Sequence, residues 1–141
     1  MTEIESIEKT SNILRNLRSS IIADIKKLRK LEQQIERTKV PAKGVIPRKR
    51  RTMLPADFEG QTVELRETIY ENQRHFLSLQ AELEREISKV PDPYTRLAMS
   101  LYYAELMTYK ETAAAIGCGI SSGAVQRLFD RRKERQAYDG S

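Results

Sequence analysis

The residues best equipped for chemistry lie in one run, Ser121 to Gln136, which holds Gln126, Arg127, Arg131, Arg132, Lys133 and Arg135. An amide and several guanidinium groups on one short segment suit hydrogen bonding to bases and phosphates. Gln can bond adenine at two atoms and Arg can bond guanine at two atoms, whereas a cation further along a helix suits a phosphate. Val125, Leu128 and Phe129 recur at helical spacing within the same run. They predict a helix that buries one face and leaves Gly123, Ala124, Gln126, Arg127, Asp130 and Arg131 facing out. Ser121 or Ser122 is expected to cap it.

The preceding residues must position that helix. Thr108 followed three residues later by Glu111 is a capping box, so a short helix starts there. Ala113, Ala114, Ala115 and Ile116 fill its interior, and their small side chains should let the next helix approach closely. Gly117 is expected to stop it, because Gly adopts left-handed backbone without strain. A short helix, a turn and a basic helix predict a helix-turn-helix, in which the second helix enters the major groove. Lys110 and the helix start at Ser121 and Ser122 are then expected at phosphates.

A resemblance rests on four segments between Val90 and Gln136. They are P-D-P-Y-T-R-L, S-L-Y-Y, T-Y-K-E-T-A-A-A-I-G and S-S-G-A-V-Q-R-L-F. Together they resemble the C-terminal half of phage late-gene transcription regulators of the RinA/ArpU type, whose reading domain is similar to region 4 of sigma factors. The turn Gly117 to Val125 is longer than the family's. The resemblance implies activation of late genes for packaging and morphogenesis in a bacterial host cytoplasm, with double-stranded DNA and RNA polymerase as partners.

The rest of the chain is elongated helix by composition. Of 141 residues, 32% are charged and 6% aromatic, which fits long solvated helices better than a thick core. Neither Pro nor Gly occurs from Glu3 to Lys39. There Ile7, Leu14, Ile21, Leu28 and Ile35 recur every seven residues, with Ile4, Leu17, Ile25 and Leu31 at intermediate offsets. This is a helical stripe of heptad character, interrupted at Ser11, Arg18 and Glu32. A second stripe follows from Asp57 to Lys89, through Leu65, Ile69, Phe76, Leu79, Leu83 and Val90, broken at Asn72 and Glu86. Its eight acids against four bases face a mildly basic first helix. An antiparallel hairpin would bury both stripes and pair the charges along its flanks. Self-association through one stripe, giving a homo-oligomer, is the competing arrangement.

Residues 40–56 join the two helices. Pro41, Gly44, Pro47 and Pro55 break helices there, and Arg48, Lys49, Arg50 and Arg51 form an unbroken basic run. That run is either a solvated spacer or an arm on DNA phosphates. Val90-Pro91-Asp92-Pro93 then ends the second helix. Asp92 caps a third helix, expected to run to about Met107 with Leu97, Leu101, Ala104 and Met107 inward. The expected fold is all-α: a long helical hairpin over 1–90, then a helix-turn-helix module over 91–141.

Other chemistries lack their residues. Net charge is +5, and no apolar run is long enough to span a membrane. One Cys, Cys118, and one His, His75, make neither a disulfide nor an ordinary zinc set. The Gly-rich piece from Gly117 to Gly123 lacks the Lys of a phosphate loop and the strand that precedes a dinucleotide loop. No nucleophile-base-acid set is present, so no enzyme and no cofactor are expected. Cys118 reads as a small packing residue in the turn. A second function class fits the same layout: a structural or DNA-packaging adaptor, like a small terminase subunit, that oligomerises through its long helices.

Overall fold

The computed structural model describes residues 3–39 and 55–139, with side chains described over 3–37 and 57–136. The basic run Arg48 to Arg51 lies outside the described residues. Among the described residues the fold is all-α, without strands. Helix α1 spans Glu3–Lys39 and α2 spans Pro55–Ile87. α3 spans Pro93–Met99 and continues as a π-helical turn over Ser100–Ala104. α4 spans Tyr109–Ile116 and α5 spans Ser122–Asp139. Pro55 starts α2 rather than ending the linker, as a first-turn proline can, since its missing N–H has no partner to lose.

Two compact units result, and both long helices run through them. Residues 1–16 and 76–141 make the first unit and residues 17–75 the second. In the first, Ser6 and Ile7 near the start of α1 line a cavity with Leu83 and Glu86 near the end of α2. Ile4, Ile7 and Leu14 join Leu83, Ile87 and Val90 in its core, with Ala98, Met99, Tyr103, Ala113, Val125 and Phe129. In the second unit Ile21, Ile35, Phe58, Thr62 and Ile69 are buried, while Leu28, Leu31 and Leu65 are half-buried. Here Glu32 near the end of α1 meets Arg66 early in α2, at 3.9 Å. This pair reverses the expected charge sense, because the acid comes from the basic helix and the base from the acidic one. Average charge does not choose contacts; the side chains that flank the seam do.

The third helix departs from expectation. Leu97 is exposed, and Leu101 and Met107 are only half-buried. Ala104 is buried as expected, and Thr95, Ala98, Met99, Tyr103 and Leu106 are buried where the other three are not. The π-helical turn accounts for the part of the shift that follows Met99. The Glu105 N–H reaches back five residues to the Ser100 carbonyl at 2.9 Å, so the turn holds an extra residue and rotates the inward face. Such an end leaves carbonyls without helical partners. Each finds one: the Met107 N–H donates to Leu101 O at 3.1 Å. Arg15 donates to Tyr102 O at 3.2 Å, Ser11 Oγ to Tyr103 O at 2.8 Å, and Gln80 Nε2 to Ala104 O at 2.8 Å. Ser11, an apparent fault in the first stripe, is therefore a buried donor. Leu106 then takes a left-handed φ of 60°, which costs a non-glycine residue roughly 1–3 kcal/mol and is offset here by burying its side chain.

Candidate nucleic-acid interface

The α4–α5 pair is set by its caps. Thr108 Oγ1 accepts the Glu111 N–H at 3.1 Å, and Glu111 Oε1 accepts the Thr108 N–H at 2.9 Å, so the capping box is complete. Thr112 and Ala113 are buried, while Ala114 and Ala115 are exposed. Successive residues point about 100° apart around a helix, so a run of three alanines cannot all face one neighbour. Ile116 packs against the core from its edge.

Gly117 ends α4 at φ 79°, and its N–H reaches the Ala113 carbonyl at 3.0 Å. Cys118 and Gly119 follow at φ 58° and 71°. Three left-handed residues in a row reverse the chain, and Cys118 is carried to the exposed tip. It is not the packing residue that its small size suggested; Ile120, partly buried against the core, takes that role.

Ser121 is the cap of α5: its Oγ accepts the Ala124 N–H at 3.1 Å and its carbonyl accepts the Val125 N–H at 3.3 Å. Val125 and Phe129 are buried and Leu128 is half-buried, as the spacing predicts. The Phe129 ring lies 5.1 Å from Tyr103, 5.4 Å from Tyr102 and 6.1 Å from Tyr109, centroid to centroid. Tyr102 and Tyr109 stack at 4.3 Å, and the Arg15 guanidinium sits 5.2 Å over Tyr102. The tyrosines are thus core with polar tips. Burial pushes the Tyr103 phenol well above its ordinary value, so it stays a neutral donor, to Glu8 Oε1 at 3.2 Å.

The nine basic and polar positions singled out in this module separate into two groups. Lys110, Ser121, Ser122, Gln126, Arg127, Arg131 and Arg135 are exposed. By helical spacing Arg127 and Arg131 lie on the side of α5 away from Val125 and Phe129, and Gln126 lies on its flank. Gly123 is half-buried, and a side chain there would meet the Arg127 guanidinium at 3.4 Å. Arg127 therefore lies back over the start of its own helix.

Arg132, half-buried, and Lys133, whose side chain is 44% exposed, form the other group by their contacts, which turn toward α1. Arg132 Nη2 lies 3.5 Å from Glu3 Oε1, with its side chain 19% exposed. Lys133 Nζ lies 2.6 Å from Glu8 Oε1. That hydrogen bond raises the Lys133 ammonium pKa above its ordinary value. One turn beyond Arg132, Gln136 Oε1 accepts the Ile4 N–H at 3.0 Å, satisfying an amide in the first turn of α1. Glu3, Glu8 and Gln136 were not singled out in the sequence, because each pairs with a residue more than a hundred positions away.

Among the described residues no group of His, Cys, Asp and Glu could hold a metal ion, and no helix is long and apolar enough to cross a membrane. His75 is exposed on α2. Comparison of the chain with protein-family models, with curated proteins and with solved structures finds no match.

Proposed function

We propose that this chain is a sequence-specific DNA-binding regulator of transcription, an activator of phage late genes that works with RNA polymerase in the cytoplasm of a bacterial host. α4, the glycine turn and α5 act as a helix-turn-helix. One observation carries the reading: α5 keeps Gln126, Arg127 and Arg131 exposed beside its Ser121-capped start, while Val125 and Phe129 fasten its other face. A helix used only for packing has no need of an amide and two guanidinium groups in that place. The resemblance of residues 90–136 to RinA/ArpU-type regulators supports the same reading.

Gln126 and Arg127 read base edges, Arg131 and Lys110 meet phosphates, and the long helices serve for oligomerisation or docking. Selection on randomised duplex DNA tests the assignment. Arg127→Ala should cost about 1–3 kcal/mol on the selected site and relax one base position, while Arg131→Ala weakens all sites alike. If both variants return the wild-type motif, α5 does not read bases through either arginine. Genome-wide mapping during phage growth separates the function classes. A peak upstream of a late operon supports the regulator; a peak at a packaging start site supports the packaging adaptor.

A further inference from the structure

We infer that the first turns of α1 set the position of α5 and hold Lys133 away from DNA phosphate. The inference rests on the DNA-reading proposal. Lys133 stands seven residues, two helical turns, after Gln126, and so on the same side of α5. A free ammonium there would meet the DNA backbone whatever the base sequence. It is not free: Glu8 Oε1 takes it at 2.6 Å. The same oxygen accepts the Tyr103 phenol at 3.2 Å, so Glu8 is itself anchored to the core. Glu3 holds Arg132 at 3.5 Å, and Gln136 holds the Ile4 amide at 3.0 Å. Three neighbouring residues of α5 are thus tied to one end of α1, all within one compact unit.

Two consequences follow. The far half of α5 has a fixed angle, while its near half carries the exposed reading residues. Glu8 also cancels a sequence-blind attraction. Phosphate contacts raise affinity for every site, and each adds roughly 0.9 to the slope of log affinity against log salt. A cation already paired with a carboxylate adds little to either. Glu8 therefore lowers affinity for all duplex DNA although it touches no base, and Lys133 is a positioning residue rather than a DNA contact.

The test is the salt dependence of binding to the selected site and to unrelated duplex DNA. Glu8→Gln keeps an acceptor oxygen but removes the charge that pairs with Lys133, leaving its ammonium uncompensated. Binding to unrelated DNA should then tighten and its slope steepen by roughly 0.9, an extra factor of about three between 50 and 200 mM salt. Binding to the selected site should tighten by a similar factor, which leaves the ratio of specific to unrelated binding near its wild-type value. Lys133→Gln alone should leave the slope unchanged, and the double variant should return it to the wild-type value. A merely structural role for Glu8 would weaken binding to all DNA instead, and that result overturns the inference. So does a Lys133→Gln variant whose slope flattens as much as that of Arg131→Gln. If the wild-type protein binds no duplex DNA at low salt, the DNA-reading proposal fails by itself. Amide exchange without DNA then judges the clasp: faster exchange over residues 130–136 in Glu8→Gln supports it, and unchanged exchange overturns it.

Discussion

The two compact units use the same pair of helices in different ways. In the unit of residues 17–75, α1 and α2 have only each other among the described elements, and Ile21, Ile35 and Ile69 of the sequence stripes are buried together with Phe58 and Thr62. In the unit of residues 1–16 and 76–141, the ends of the same helices face three further elements. There the seven-residue pattern is overlaid by polar contacts that no pattern announces: Ser11, Arg15 and Gln80 on helix-end carbonyls, Glu3 and Glu8 on the cations of α5. A heptad stripe fixes which face of a helix is buried. It does not say how many neighbours that face will have.

The largest difference between the units should show in their cores. Phe129 is 2% exposed and touches three tyrosine rings, so Phe129→Ala should cost about 3–5 kcal/mol in urea unfolding. Ile35 is 8% exposed and sits on the two-helix seam, so Ile35→Ala should fall near the low end of its class, about 2 kcal/mol. Amide exchange should match, with residues 17–37 and 57–75 less protected than 4–16 and 76–87. Equal losses and equal protection would remove the contrast.

Ser11 sharpens the comparison next. It is 2% exposed, and its hydroxyl is the donor that Tyr103 O receives. Ser11→Ala leaves a buried carbonyl unpaired and should cost about 1–3 kcal/mol. A change below about 0.5 kcal/mol, the scale of a neutral surface substitution, would mean that the carbonyl has another partner.

How much of this was legible depended on the range of the interaction. The bounds of α1, the capping box at Thr108, the stop at Gly117, a serine cap at Ser121 or Ser122 and the burial of Val125 and Phe129 are each decided within four residues and were readable, and the structure decides the cap for Ser121. The inward face of the third helix was only partly readable: a π-helical turn over Ser100–Ala104 has no local signature, and Leu97, ahead of that turn, is exposed as well. The helix's register is set by donors on α1 and α2 that receive its last carbonyls. In the sequence Arg132 and Lys133 belong to the same basic run as Arg127 and Arg131. Only the fold reveals that acids from the first turns of the chain stand beside them. Cys118 was taken for a packing residue by size, and three left-handed residues put it outside.

Caps give a smaller effect. Thr108→Ala removes the acceptor of the Glu111 N–H and should cost about 1 kcal/mol, within a range of about 0.5–2. Asp92 caps α3 in a way that titrates. The Thr95 hydroxyl first, then the Thr95 N–H, holds its carboxylate below the ordinary 3.8. Stability from that cap is fully present above pH 3.8 and is lost as pH falls toward the depressed value. Asp92→Asn should flatten that part of the acid limb in a pH titration of unfolding, and an unaltered limb would remove Asp92 from the account.

The smallest effect is expected where the sequence seemed to promise pairing. The charge bias of α1 and α2 suggested that salt bridges along the seam would hold the hairpin. The pair described there, Glu32 with Arg66, spans 3.9 Å with side chains 47% and 57% exposed. Water screens such a pair, and fixing two long side chains costs entropy, so exposed pairs contribute roughly 0–1 kcal/mol. Glu32→Gln and Arg66→Gln should each shift stability by less than about 0.5 kcal/mol, with no coupling in the double variant beyond that size. The Lys133–Glu8 pair gives the matching measurement in the other unit. Its Nζ is only 2.6 Å from the carboxylate, and a core tyrosine holds the acid in place, so its double-mutant coupling should be the larger of the two. A coupling for Glu32 and Arg66 equal to that for Glu8 and Lys133 would show that the two-helix seam is held by its charges after all. The contrast between the units would then lie in their apolar cores alone.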